Sequence, residues 1–217
     1  MILKGYLFSC LYFGLIPCIS FILNKVFKVK TVIIRKSTHI MLSFLWFIMY
    51  YHFGTSIHML IPPLAFFLLS VFAYKLKLYS LFLSSGNFLG IVYYFLSMFI
   101  LALITYFFPS FYMAYGIGIL CMGLADGFAP LVAGFLKSRK LVKEKTITGT
   151  LTVFTMAMVV VISFNYIFST NFNVLEIFII GIVTAVLELF GDNGLDNIYL
   201  PVGVALITYF LGWLTCI

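Results

Sequence analysis

From residue 78 to residue 125 the chain carries no formally charged side chain. An apolar helix needs roughly 20 residues to cross a bilayer, so this segment is long enough for two membrane-spanning helices. The turn between them is expected at FFPSFY, residues 107–112. A content of 64% hydrophobic and 9% charged residues also lies far outside the range of soluble domains. The sequence therefore predicts an integral membrane protein with a single transmembrane domain over residues 1–217.

Apolar runs along the rest of the chain predict an all-α, polytopic fold with about eight spans, or seven to eight given the uncertain boundaries. The predicted spans lie near residues 5–23, 38–53, 57–74, 88–108, 111–136, 149–168, 174–190 and 199–216. The fifth span is expected to be broken near Asp126, because Gly123, Gly127 and Pro130 weaken or interrupt a helix.

Basic residues are concentrated in alternate loops. Twelve of the thirteen Lys and Arg residues fall between spans one and two, three and four, or five and six, and Lys4 falls on the other side. The positive-inside rule then predicts cytosolic basic loops and both termini outside. A composition rich in Phe, Ile and Lys without a visible transit peptide favours a bacterial plasma membrane. Because no soluble basic domain exists to present a binding surface, no nucleic-acid partner is expected.

Asp126 lies inside an apolar run, LCMGLADGFAPLVAGF, residues 120–135. A carboxylate in the middle of a bilayer costs from about 2.5 to over 10 kcal/mol, so it normally faces a protein interior or a wet cavity. Irregular backbone at membrane depth is likewise tolerated only where it is packed in protein or lines a cavity. The sequence therefore predicts a polar cavity beside the fifth span.

A second group of acids lies in LELFGDNGLDNIYLP, residues 187–201. Glu188, Asp192 and Asp196 recur every four residues, and Asn197 adds an amide oxygen. Clustered oxygens of this kind favour a hard cation such as Mg²⁺. The alternative is a polar loop that caps the seventh helix.

Hydroxyl and basic side chains lead into the sixth span in the segment Lys145–Thr150, KTITGT. Free amide and hydroxyl groups at a helix start, with lysines nearby, favour an anion such as phosphate. The positive-inside pattern together with N-capping explains this segment nearly as well.

Another basic group, RKSTH, occupies residues 35–39 and puts Arg35 and His39 on one helix face at the membrane surface. Basic residues next to a membrane are common, so this group is weak by itself. All the groups nevertheless fall on the inner side. Acids for a metal, cations for phosphate and an intramembrane carboxylate are together what phosphoryl transfer to a lipid requires.

At these residues the chain resembles the membrane-embedded family of phytol, farnesol, dolichol and other polyprenol kinases. That family includes a CTP-dependent diacylglycerol kinase and is more distantly similar to the CDP-diacylglycerol synthases. The resemblance covers about residues 33–202 and has five ordered elements. They are R-K-x-x-H from Arg35, GIVYY from Gly90, D-G-x-A-P-L-V from Asp126, K-T-x-x-G-T from Lys145, and an acid followed by G-L-D-N-x-x-x-P ending at Pro201.

The chain departs from the family pattern next to the third element. Ala125 stands where family members usually have Gly, and Ala133, Gly134 and Phe135 stand where the family has a Gly followed by basic residues.

The resemblance implies a kinase that transfers the terminal phosphate of a nucleoside triphosphate, often CTP, to the primary hydroxyl of a long isoprenoid alcohol, with Mg²⁺ or Mn²⁺. Site roles are implied for eleven residues and an additional acid. They are Asp126 as metal ligand or general base; Glu188, Asp196 and, ambiguously, Asp192 as further metal ligands; Arg35, Lys36 and Lys145 as phosphate-neutralising cations; His39, Thr146, Thr148 and Gly149 as phosphate contacts; and Asn197 as a contact to nucleotide or metal.

Three other functions stay open at this point. A cytidylyltransferase of the CDP-diacylglycerol synthase type would use similar metal and CTP contacts but release pyrophosphate. Diacylglycerol is an alternative kinase substrate. A secondary transporter would place its ion site at a broken helix, although such proteins often have repeated halves and no repeat is evident here.

Overall fold

The computed structural model describes residues 1–78, 89–136, 138–142, 145–191 and 194–215. Within these residues, six helical segments are long and apolar enough to cross a membrane. They are Ile2–Lys25, Thr31–Phe53, Ile57–Lys75, Leu89–Phe107, Pro109–Phe135 and Ile147–Phe168. The protein is therefore an all-α polytopic membrane protein, while the total of eight spans stays a prediction.

Ten α-helices make up these segments and the C-terminal part of the described chain. They are α1 (Ile2–Lys25), α2 (Thr31–Ser43), α3 (Leu45–Phe53), α4 (Ile61–Lys75), α5 (Leu89–Phe107), α6 (Tyr112–Leu120), α7 (Gly127–Phe135), α8 (Ile147–Phe168), α9 (Val174–Leu189) and α10 (Asp196–Thr215). Two short 3₁₀ turns, Ile57–Leu60 and Pro109–Phe111, precede α4 and α6. Strands β1 (Lys140–Val142) and β2 (Lys145–Thr146) pair antiparallel just before α8.

Helix α6 lies at the centre of the bundle, with eight of its nine residues buried. It packs most extensively against α10, where a Cβ atom added to Gly118 would lie 2.4 Å from the carbonyl oxygen of Pro201. Helix α1 is peripheral by contrast, because only four of its 24 residues are buried. Its exposed leucines and phenylalanines are what a lipid-facing surface requires.

Side-chain caps begin the last spans. The Thr146 hydroxyl accepts a hydrogen bond from the Gly149 amide at 3.2 Å and so begins α8. Asn173 and Glu176 form a reciprocal capping box at the start of α9. Glu176 therefore has a structural role at the end of α9 away from the other acids.

The fifth predicted span is widened rather than broken. Between α6 and α7 the backbone forms a π-helical segment, Cys121–Asp126, and Pro130 lies inside α7 without ending it. The expected interruption at Asp126 is thus wrong in detail, although the α-helical hydrogen bonding does change there. π-Helical turns of this kind often occur at functional sites.

Candidate active site

A polar cavity of about 430 Å³ lies at the helix ends that the basic loops join. This volume is within the usual range for small-molecule sites. Six parts of the fold contribute its walls: the first half of α2, the start of α5, the π-helical segment with α7, the β2–α8 junction, the end of α9 and the start of α10. Its charged lining residues are Arg35, Lys36, Lys145, Asp126, Glu188 and Asp196. The sequence groups that are far apart along the chain therefore meet at one cavity.

Asp126 projects from the last residue of the π-helical segment and is 2% exposed. Its Oδ2 atom accepts a hydrogen bond from the Lys36 Nζ of α2 at 2.5 Å. Both side chains are buried, so each offsets a charge that would be costly alone in this environment. Lys36, which the sequence assigned to phosphate, thus has Asp126 as its direct partner.

Two glycines allow α2 to approach the π-helical segment closely enough for this pair. A Cβ atom added to Gly123 would lie 2.3 Å from the Cβ of Ser43, and one added to Gly127 would lie 2.5 Å from Cγ1 of Ile40. Any larger residue would push the helices apart. The glycines that predicted a helix break therefore serve close packing.

A second ion pair joins β2 to the end of α9, where the Lys145 ammonium contacts Oε1 of Glu188. Burial lowers the pKa of Lys145, but the carboxylates of Asp126 and Glu188 raise it by more, so its pKa lies above the ordinary value. Lys145 therefore carries a positive charge at neutral pH.

The α9–α10 turn approaches the start of α5 through two glycines. Gly194 has φ +86°, a conformation that favours glycine, and a Cβ there would lie 3.1 Å from the Gly90 backbone. A Cβ on Gly90 would lie 2.9 Å from the Asn197 side-chain nitrogen. This tight contact holds Asn197 at the cavity wall next to Asp196.

Several buried polar atoms at the cavity have no hydrogen-bond partner among the described residues. Four are acceptor oxygens: Oδ1 of Asp126, Oε2 of Glu188, Oδ1 of Asp196 and Oδ1 of Asn197. Both ring nitrogens of His39 and the hydroxyl of Thr150 are also unpartnered. Since buried polar groups are normally satisfied, this set indicates a polar ligand.

The unpartnered oxygens fit a divalent cation that arrives with its own ligands. Among the described side chains, no three His, Cys, Asp or Glu residues form a group that could hold a metal ion alone. Mg²⁺, however, is commonly bound by one or two carboxylates, with phosphate oxygens and waters completing its octahedron. Asp126, Glu188 and Asp196 are therefore suited to a metal–nucleotide rather than to a closed metal site.

Most of the predicted site residues line this cavity. Besides the charged residues, His39, Thr146, Gly149 and Asn197 all contribute to the wall. Thr150 was not among the predicted site residues, although it lies in the same KTITGT segment. The roles of Gly90 and Gly194 were also missed, because they depend on a contact between distant backbones.

Thr148 does not line the cavity, and its assignment to phosphate stays a prediction. Its hydroxyl lies 2.9 Å from the Ser138 hydroxyl and donates to the Leu136 carbonyl at 3.1 Å. The Thr148 amide also donates to the Ser138 hydroxyl at 3.0 Å. Thr148 therefore connects the loop before α8 to the end of α7.

The proposed metal ligand Asp192 lies outside the described residues.

No protein-family profile, curated protein or solved structure matches the chain. The resemblance to the polyprenol kinases stays a prediction. A function has to be argued from the chemistry of the cavity.

Proposed function

We propose that the protein is a membrane-embedded kinase that transfers the terminal phosphate of a nucleoside triphosphate, CTP in the first instance, to the hydroxyl of a long lipid alcohol of the isoprenoid type. The observation that carries the proposal is that three basic side chains and four unpartnered acceptor oxygens line the same cavity. Cations suit phosphate oxygens, and acceptor oxygens suit the metal that accompanies them.

The triphosphate would bind by exchanging partners with the two ion pairs. Without nucleotide, Lys36 and Lys145 neutralise Asp126 and Glu188. Phosphate oxygens offer both lysines an equivalent anionic partner, and Arg35 at the same wall adds a third cation. The carboxylates released from the lysines then become available to the cation bound to the phosphates.

That cation, Mg²⁺ or Mn²⁺, would be held by Asp126, Glu188 and Asp196, with Asn197 beside them, and it supplies charge neutralisation at the phosphates. The free Thr150 hydroxyl at the start of α8 is a donor suited to a phosphate oxygen. His39 has a ring nitrogen available for the same purpose.

In the chemical step the alcohol oxygen attacks the γ-phosphorus and forms the new P–O bond. The bond from that phosphorus to the β,γ-bridging oxygen breaks, and the nucleoside diphosphate leaves. The alcohol proton passes to a cavity carboxylate, for which Asp126 is suited by its burial and its unpartnered oxygen. Positioning and charge neutralisation provide most of the catalysis in reactions of this kind.

The test is product analysis with purified protein, Mg²⁺, CTP and a panel of lipid alcohols. The kinase proposal expects equal amounts of CDP and lipid phosphate. Release of pyrophosphate, together with formation of a CDP-lipid from a phosphorylated lipid, would instead identify a cytidylyltransferase. Failure to turn over any nucleotide with any alcohol in the panel would overturn it in favour of a non-enzymatic role such as transport.

A further inference from the structure

A second cavity, of about 340 Å³, lies among α1, α2, α4 and α5. Its walls are almost entirely apolar, with aromatic and aliphatic side chains such as Phe13, Leu42 and Phe95. The cavity could not be predicted from the sequence, because its lining residues resemble those of any packed helix interface.

The three hydroxyl side chains at this cavity are already satisfied. Ser20 lies 3.1 Å from the Thr38 hydroxyl, Thr38 donates to the Ile34 carbonyl at 2.9 Å, and Ser70 donates to the Phe67 carbonyl at 2.7 Å. No polar ligand is needed to complete these groups. The cavity is therefore suited to hydrocarbon rather than to a headgroup.

The cavity opens towards lipid along α4. Leu69 and Phe72 line it and are 51% and 60% exposed, and Leu78 beyond the helix end is 39% exposed. A hydrocarbon chain already dissolved in the bilayer can enter there without crossing water.

The apolar and polar cavities share a thin wall. On α2, Thr38 lines the apolar cavity and the next residue, His39, lines the polar one. On α5, Gly90 lines the polar cavity and Ile91 the apolar one. The rings of His39 and Tyr94 meet between these helices, with centroids 5.4 Å apart. A hydrocarbon chain bound in the apolar cavity can therefore end within about one helix width of the charged site.

We propose that the apolar cavity is the binding site for the hydrocarbon chain of the lipid alcohol, with the hydroxyl directed past His39 and Gly90 into the polar cavity. The inference rests on the proposed kinase function for the identity of its ligand. The lining of the apolar cavity itself offers a charged headgroup no unsatisfied partner.

Leu69 and Leu68 provide a matched pair of test positions. They are adjacent on α4 and are 51% and 57% exposed, but Leu69 lines the cavity and Leu68 does not. Leu69→Trp closes the mouth of the cavity, whereas Leu68→Trp adds the same bulk to a lipid-facing position. Nucleotide binding by each purified variant verifies that the fold is intact.

The experiment is photo-crosslinking with an isoprenoid alcohol that carries a diazirine on its chain, followed by mapping of the labelled residues. We expect labels on α1, α2, α4 and α5 at the cavity, and about a tenfold loss of labelling in Leu69→Trp but not in Leu68→Trp, as expected for overpacking the mouth. Unlabelled alcohol should compete for the site and excess phospholipid should not.

Two results would overturn the inference: labels that map elsewhere or are equal in both variants, or equal competition by phospholipid, which would make the cavity a general lipid site. The kinase proposal is tested separately by CDP formation. Turnover without cavity labelling refutes this site alone, whereas cavity labelling without turnover refutes the kinase alone.

Discussion

The two lysine–carboxylate pairs give the cavity a neutral resting state. A buried carboxylate or ammonium group is costly without a partner, and Asp126 and Glu188 each have a lysine directly opposite. In the proposed function, binding of a triphosphate exchanges one set of ionic contacts for another. Substitution of either partner therefore affects both stability and function, and the two effects have to be measured separately.

Asp126→Asn is expected to abolish turnover, because it removes the carboxylate that contacts the metal–nucleotide or the alcohol proton. It also leaves the Lys36 ammonium buried without a charged partner, which costs about 3–5 kcal/mol. We therefore expect a lower thermal unfolding temperature in detergent.

The double variant Lys36→Met/Asp126→Asn separates these effects. Removal of both charges should restore most of the unfolding temperature, because neutral replacement of a buried ion pair is often tolerated. Turnover of CTP should stay absent. Restored activity in the double variant would mean that Asp126 serves only to neutralise Lys36.

Lys145→Ala should weaken CTP binding by about 10- to 100-fold, the usual value of a charge-assisted hydrogen bond. Lys75→Ala is the control, since Lys75 is an exposed residue at the end of α4 and belongs to the same basic side. Equilibrium binding of labelled CTP measures both. Equal losses in the two variants would reduce the role of Lys145 to general positive charge.

Asp126, Glu188, Asp196 and Lys145 could be selected from the sequence because charged residues in an apolar chain need a reason. Their pairing could not be predicted. Lys36 and Asp126 are 90 positions apart, and only the packing of α2 against the π-helical segment brings them together. The contact between Thr148 and Ser138 could not be predicted either, because Ser138 belongs to a loop whose path the sequence does not reveal.

The helices themselves were predictable from apolar runs of sufficient length, and each predicted span contains a helix. The π-helical conformation of the backbone at Asp126 could not be predicted. Intrinsic propensity favoured a break at Gly123, Gly127 and Pro130, but close contact with α2 stabilises a continuous π-helical path instead. Tertiary packing thus overrides local propensity at the site itself.

Gly123→Ala should destabilise the protein by about 1–3 kcal/mol, since the added methyl group overlaps Ser43 and forces α2 away. Movement of α2 also displaces Lys36 and His39, so turnover should fall as well. Gly134→Ala in α7 is the matched control, because a Cβ there meets no atom within 4 Å. For Gly134→Ala we expect no loss of stability, or a gain of up to about 1 kcal/mol in the free energy of unfolding from helix propensity.

Thermal unfolding in detergent and CTP turnover measure both glycine variants. If Gly123→Ala and Gly134→Ala behave alike, the close approach of α2 to the π-helical segment is not what positions Lys36.

The distribution of charge predicts one orientation for the whole molecule and its cavity. Along the sequence, twelve of the thirteen basic residues lie in or close to the connections between the helix ends that line the polar cavity. If the positive-inside rule holds, the cavity faces the cytosol, where nucleoside triphosphates are available. The orientation and the proposed substrate are thus consistent with each other.

Thr55 and Lys75 are exposed positions that flank opposite ends of the Ile57–Lys75 segment, and they test this orientation. In a cysteine-free background, Thr55→Cys should react with a membrane-impermeant maleimide in intact cells. Lys75→Cys should react only after permeabilisation, because the basic loops are expected inside.

The same orientation requires that externally added CTP be turned over by inside-out vesicles and not by right-side-out vesicles, since a charged nucleotide cannot cross the bilayer. The opposite labelling pattern would put the polar cavity outside the cell, away from any nucleotide supply, and would rule out a cytosolic kinase.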